Sequence, residues 1–263
     1  MVVASGYRAS LWAPVVLNSM NVCIIIPMFN EQSLAQQSIT TILSYIKELP
    51  SSTTLLVVND GSVDQTQKIV KGCIAKEGNS GQLVLLSHQY NRGYGAALRT
   101  GIQYAVDHAF DYALFMDSDL TNHPKYLRLF YEKMAQGCEY IKATRYRAGG
   151  GMEGVAWKRQ LFSRAGNHIG RLLLQLPLSD VTNGFRSVKV DILRHVTLHE
   201  NGFPIIMEEL AQAKKYVHSY AEIPYVLTER MANQGATHFP YSFSTMATYL
   251  YYALIGFFYA RPQ

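Results

Sequence analysis

Two aspartates one residue apart, Asp117-Ser118-Asp119, close the apolar run Ala113–Met116. In an extended chain residues i and i+2 share a face, so both carboxylates can grip one ion. A divalent cation held by one or two carboxylates plus a diphosphate is how magnesium usually binds, with water in its other octahedral positions. Such a pair is also common in solvated turns, so the rest of the chain must supply its context.

A second group, Asn59-Asp60-Gly61-Ser62-Val63-Asp64, ends another apolar run. Asp60 can accept hydrogen bonds from a base or ribose, Gly61 permits a tight turn, and Ser62 or Asp64 can cap a following helix. A strand-to-helix cap with no ligand fits those residues equally well. A third group, Asn91–Ala97 (NRGYGAA), resembles a turn that lets a helix N-terminus approach a phosphate. Leu98 stands where G-x-G-x-x-G needs its last glycine, which disfavours a dinucleotide fold.

These groups need a scaffold. Val22–Ile26, Leu55–Val58, Leu83–Leu86 and Ala113–Met116 read as buried strands. Ile39, Ile42, Leu43, Ile46 and Leu49 fall on one helical face between the first two. Asp64 to about Lys76 and Gly93 to about His108 supply two more helices, giving an α/β array around a mostly parallel sheet. Ligands of such sheets bind at the carboxyl ends of the strands, where all three groups fall. After Arg145 a Gly-rich stretch, Ala148–Gly151, reads as a mobile loop. A basic helix-like segment near Trp157–Leu176 and the polar patch Ser179–Arg186 follow, forming the half that faces a second substrate.

The 263 residues suit one large domain with an appendage. Hydrophobic content of 48% against 16% charged residues exceeds what a freely soluble enzyme needs, and a mean hydropathy of −0.02 disfavours a polytopic membrane protein. A net charge of +5 suits anionic partners without selecting among them. Cys23, Cys73 and Cys138 read as free thiols of a reducing compartment. Ser5, Arg8, Ser10 and Pro14 interrupt the N-terminus, so a signal peptide is not expected and the catalytic part is expected to face the cytoplasm. Residues 242–260 carry no charge but include Tyr249, Tyr251, Tyr252 and Tyr259, the pattern of an interfacial helix more than of a span. The expected organisation is an N-terminal extension over 1–20, a catalytic domain over 21–238 and a membrane-associating helix over 239–263.

The ordered motifs PMFNE (27–31), VNDGSVDQT (58–66), NRGYGAALRTG (91–101), DSD (117–119), ATRY (143–146), DVTNGFR (180–186) and EIPYVLTER (222–230) resemble those of the polyprenyl-phosphate glycosyltransferases, which include the dolichol-phosphate mannose synthases. That resemblance implies a GT-A fold, a Rossmann-like central sheet flanked by helices. It implies inverting transfer of a hexose from a nucleotide sugar, of the GDP-mannose or UDP-glucose type, to a polyprenyl or dolichyl phosphate. A magnesium or manganese ion and a membrane surface are implied as well, and no nucleic acid. By position, Pro27, Phe29, Glu31 and Asp60 resemble nucleotide-binding residues, and Asp117 and Asp119 the metal and diphosphate site. Arg145, Arg159 and Ser163 resemble the acceptor-phosphate site, and Arg230 a donor-diphosphate contact. Asp119, Arg145 and Arg230 are thus the implied catalytic residues. A phosphate acceptor is already ionised near neutral pH and needs no base; guanidinium forks at Arg145, Arg159 and Arg164 are candidates to hold it. Glu208 and Glu209 follow Gly202-Phe203-Pro204 on an expected helix, where one faces the sugar hydroxyls or both are solvated. Asn59 stands where the family often has an acid and Thr121 where it often has a metal-binding Gln, so His123 or water is left to complete the metal shell.

Overall fold

The computed structural model describes residues 20–50, 52–78, 81–228 and 243–259. In chain order they form β1 (Asn21–Met28), α1 (Ala35–Ile46), β2 (Ser52–Asn59), α2 (Thr66–Glu77), β3 (Leu83–Ser87), α3 (Tyr94–Asp107), β4 (Tyr112–Phe115), α4 (Leu127–Ala135), β5 (Tyr140–Thr144), β6 (Gly151–Met152), α5 (Trp157–Leu174), β7 (Arg186–Lys189), α6 (Val190–Leu193), α7 (Ile205–Ala213), β8 (Tyr220–Pro224), β9 (Val226–Leu227) and α8 (Phe243–Phe258).

The main sheet runs β3-β2-β1-β4-β7-β5-β8. Every neighbouring pair in it is parallel except those made by β7, which runs against both β4 and β5. Period-two alternation divides β1 between two cores. Val22, Ile24 and Ile26 pack with Ile39 and Ile42 of α1 and Phe130 of α4 on one face. Cys23 and Ile25 pack with Leu98 of α3 and Leu210 of α7 on the other. Strands covered on both faces must be apolar throughout, which is why these runs read as continuous hydrophobic stretches. Each such side chain contributes roughly 1.5–3 kcal/mol of burial.

The structure corrects two expectations about the loops. The strand before the acidic pair ends at Phe115, so Ser118 and Asp119 lie in a turn rather than on an extended chain. The reason is local: Leu120 adopts φ +60° and the Thr121 amide and hydroxyl fold back onto Asp119 Oδ1. The Gly-rich stretch is pinned rather than loose, since the Gly150 amide donates to the Arg147 carbonyl and β6 then pairs with β9.

The tail is a 16-residue helix, about 24 Å long at ~1.5 Å per residue, against the ~30 Å of a bilayer core. Among the described residues no helix is long and apolar enough to cross a membrane. Its tyrosines are not a uniform interfacial belt. Tyr249 is buried and donates to the Phe203 carbonyl at 3.1 Å, and Tyr252 donates to Glu200 Oε1 at 3.0 Å.

Candidate active site

The loops after β1 and β2 are stitched together by reciprocal side-chain to backbone bonds. The Asn30 amide donates to Ser62 Oγ and the Val63 amide to Asn30 Oδ1, each at 3.0 Å. The Glu31 amide donates to Thr66 Oγ1, and those of Gln32 and Gln65 to Asp64 Oδ2 and Gln32 Oε1. Burial would raise the Asp64 pKa, but hydrogen bonds from Thr66 and Gln32 outweigh it and hold the carboxyl below its ordinary value. Pro27 and Phe29 are half-buried at this edge and Glu31 is buried.

Asp60 is buried and already engaged within the chain. Its Oδ1 accepts from the Arg92 amide at 2.9 Å and meets His88 Nδ1 at 2.6 Å, while Oδ2 accepts from the Gly93 amide at 2.8 Å. His88, which the sequence did not single out, bonds Thr100 Oγ1 through Nε2. The carboxylate therefore shapes the 91–93 loop. Gly61 is obligatory there: at φ +67° a Cβ would stand 2.2 Å from the Tyr90 carbonyl carbon. The start of α3 is not an open anion cradle, because Asp60 takes the Gly93 amide and the Asn201 carbonyl takes that of Gly95.

Asp117 accepts from the Tyr94 hydroxyl at 3.4 Å and from Asn122 Nδ2 at 2.9 Å. Burial first, then the charge of Asp117, pushes the Tyr94 pKa up, which keeps this hydroxyl a donor. His123 stays out of the pair: its Nδ1 accepts from the Lys125 amide, and its ring sits edge-on to Tyr45. Among the described residues no third His, Cys, Asp or Glu joins the carboxylates. Two carboxylates at a strand end suit a magnesium-like ion that draws its other ligands from a diphosphate and water, so Asp117 and Asp119 would hold it.

Arg145, just past β5, grips the buried Asp180 as a fork, with Nε to Oδ2 and Nη2 to Oδ1 both at 2.7 Å. Burial opposes the guanidinium charge, but Asp180 outweighs it and holds Arg145 above the ordinary arginine value. Its Nη1 donors make no hydrogen bond to any described residue, and Arg145 lines an open basin of ≈ 580 Å³. Arg147, Arg164, His168 and Arg171 also line that basin. Arg159 is exposed on α5 and does not line it, while Ser163 Oγ meets the Tyr146 hydroxyl at 2.6 Å. Arg230 lies outside the described residues.

Glu208 and Glu209 are fully buried, correcting both alternatives drawn from sequence. Glu208 accepts from the His199 and Glu200 amides. Glu209 pairs with Arg186, whose Nε donates at 2.8 Å, and accepts from the Tyr140 hydroxyl. Arg186 is itself buried, 4.1 Å above the Phe115 ring. Sequence reasoning assigned no role to Asp180, Arg186 or Lys142. The signal was the polar patch Ser179–Arg186, with Asp180 and Arg186 its two charged residues, entering a sheet.

Strand β7 joins these parts. Arg186 is in register with Phe115 of β4 and Lys142 of β5. Because β7 is antiparallel to both, its lead-in, residues 180–185, runs between the acidic pair beyond β4 and Arg145 beyond β5. Those flanking strands are about 10 Å apart. A Cβ on Gly184 would lie 3.3 Å from the Tyr94 hydroxyl and 4.0 Å from Asp117 Oδ2. Tyr225 is shifted upward by burial first and feels both Arg145 and Asp117.

A mostly parallel sheet flanked by helices, with its loops gathered at the carboxyl ends of the strands, is the architecture of the GT-A class. The chain belongs to glycosyl transferase family 2, whose model matches residues 23–197. It is 25% identical over 213 residues to polyprenol monophosphomannose synthase of Mycolicibacterium smegmatis, covering 79% of this chain and 77% of that protein. It is 25% identical over 214 residues to undecaprenyl-phosphate mannosyltransferase of Micrococcus luteus, covering 80% and 85%. Its fold matches glucosyl-3-phosphoglycerate synthase from Mycobacterium tuberculosis, solved with Mn2+, UDP and glucosyl-3-phosphoglycerate. That match has a TM-score of 0.66 and 16% identity, and covers 98% of this chain and 88% of that one.

Proposed function

We propose that this glycosyltransferase moves a hexose from a GDP-mannose or UDP-glucose type donor to a polyprenyl or dolichyl phosphate, with inversion, at a membrane surface. The observation that carries the reading is the strap 180–185, which sets the acidic pair and the arginine basin on the same sheet edge. Donor and acceptor are both anions, so the chain must hold two repelling groups in line, and cations on the acceptor side do that.

In this mechanism Asp117 and Asp119 would hold a magnesium or manganese ion, which would offset negative charge on a diphosphate leaving group. Pro27, Phe29, Glu31 and the Asp60-shaped loop seat the nucleotide, and Arg230 is assigned to the diphosphate by resemblance alone. Arg145 directs its Nη1 donors at the acceptor phosphate, with Arg159 and Ser163 assigned to the same acceptor by resemblance. The phosphate oxygen attacks the anomeric carbon opposite the leaving group, which inverts that centre, and an ionised phosphate needs no base. The commitments of Glu208 to backbone amides and of Glu209 to Arg186 support a base-free route over transfer to a hydroxyl. Three free cysteines accord with a catalytic domain facing the cytoplasm.

The test is transfer from radiolabelled GDP-mannose and UDP-glucose, each offered singly with polyprenyl phosphate in detergent, with and without magnesium or manganese, followed by lipid extraction. Metal-dependent label in the lipid phase from one donor is expected. No metal-dependent label in the lipid phase from either donor overturns the reading.

A further inference from the structure

His88 leaves the end of β3 beside the end of β2, and its backbone amide donates to the Asn59 carbonyl at 2.9 Å. Its ring then spans two elements: Nδ1 meets Asp60 Oδ1 at 2.6 Å, and Nε2 meets Thr100 Oγ1 of α3 at 2.8 Å. The His88 and Asp60 side chains are 7% and 4% exposed. A buried imidazole thus ties the carboxylate at the end of one strand to the second turn of a helix.

The neighbouring amides fix the direction of the first bond. Arg92 donates to Oδ1 and Gly93 to Oδ2, so both oxygens of Asp60 are acceptors and the shared proton belongs on Nδ1. A ring with its proton there accepts from the Thr100 hydroxyl at Nε2, which sets both tautomer and ring plane. A carboxylate has about four acceptor places. Arg92 and His88 fill those on Oδ1 and Gly93 fills one on Oδ2, so among the described residues one place on Oδ2 stays open. The Arg92 and Gly93 amides belong to the loop that Asp60 itself shapes, and they tie carboxylate and loop to each other. His88 adds a reference outside that loop, through Asn59 and Thr100.

We infer that His88 is a positioning residue for donor binding: it holds Asp60 so that the open place on Oδ2 meets an O–H or N–H of a nucleoside diphosphate. The inference rests on the proposed reading of Asp60 as a nucleotide contact. Without the imidazole the carboxylate and its loop keep fewer fixed points, and binding must order them, which lowers affinity. Metal and acceptor sites lie on other strand ends and do not pass through this contact.

The test is titration calorimetry of the full chain with GDP and with UDP, each with magnesium and with no lipid phosphate present. For whichever nucleotide the wild type binds, His88→Ala is expected to raise Kd by about tenfold. His88→Asn, whose amide N–H can stand near the Nδ1 position, is expected to recover most of that loss. Thr100→Val keeps the shape, drops the hydroxyl and is expected to raise Kd by a smaller factor. Because His88 acts through Asp60, adding His88→Ala to Asp60→Ala should leave Kd within about twofold of Asp60→Ala alone. An unchanged Kd in His88→Ala, a Kd in His88→Asn as high as in His88→Ala, or a further loss of about tenfold in the double variant overturns the inference and leaves the donor reading standing. Where circular dichroism shows His88→Ala unfolded, an unchanged Kd in Thr100→Val overturns it instead. Binding of neither nucleotide by the wild type overturns the donor reading and the inference together.

Discussion

Arg145 and Asp180 meet as a two-point fork across the junction between β5 and the lead-in to β7, and Asp180 has no solvent exposure. The guanidinium is therefore oriented by the protein itself, and binding of the proposed acceptor phosphate would not need to order it.

Removing one partner leaves the other buried without its counter-charge. Asp180→Ala is expected to destabilise the fold by about 3–5 kcal/mol, and the double variant with Arg145→Ala by less than the sum of the singles. Urea denaturation of the four proteins checks this. Where Arg145→Ala stays folded, KM for the lipid phosphate is expected to rise more than KM for the donor.

Asp119→Asn keeps an oxygen for the Thr121 amide and hydroxyl but loses the charge that a divalent ion needs. Turnover is expected to fall by about 100-fold or more, with metal-dependent donor binding lost and the melting temperature nearly unchanged. Unaltered turnover would sink the assignment of this residue.

Asp60→Asn cannot accept from Arg92, Gly93 and His88 together, because one of its two side-chain atoms becomes a donor. A loss of about 1–3 kcal/mol is expected. Donor affinity should fall in titration calorimetry while the lipid-phosphate KM holds.

Lys142 is buried on β5, donates to the Asn183 carbonyl at 2.7 Å, and has its pKa pushed down to about 7, first by burial and then by Arg186. Its unfolded value lies near the usual 10.5, so between roughly pH 7 and 10.5 the unfolded chain binds more protons than the native one. By linkage, stability rises with pH across that window. Lys142→Met should abolish this group's share of the rise, on the order of 2–4 kcal/mol, in melts compared between pH 6.5 and 9.5.

The apolar half of the fold was legible because its signals are local. Ile39, Ile42, Leu43 and Ile46 are all buried on α1, and the four predicted strands occur with ends shifted by a few residues. Strand β7, Arg-Ser-Val-Lys, was not legible: Arg186 is buried only because Glu209, on a distant helix, neutralises it. The carboxylates of Asp60 and Glu208 likewise gave no hint that backbone amides claim them. Long-range partners decide such residues, and spacing along the chain does not encode them.

A one-residue slip of β7 would send Arg186 to the opposite face of the sheet and drag the Gly184 bend past Tyr94. The acidic pair and the arginine basin therefore share one ruler. Redesign of this end of the sheet has to work by exchanging side chains around the 180–185 strap, since lengthening or shortening it would shift the acidic pair and the arginine basin against each other.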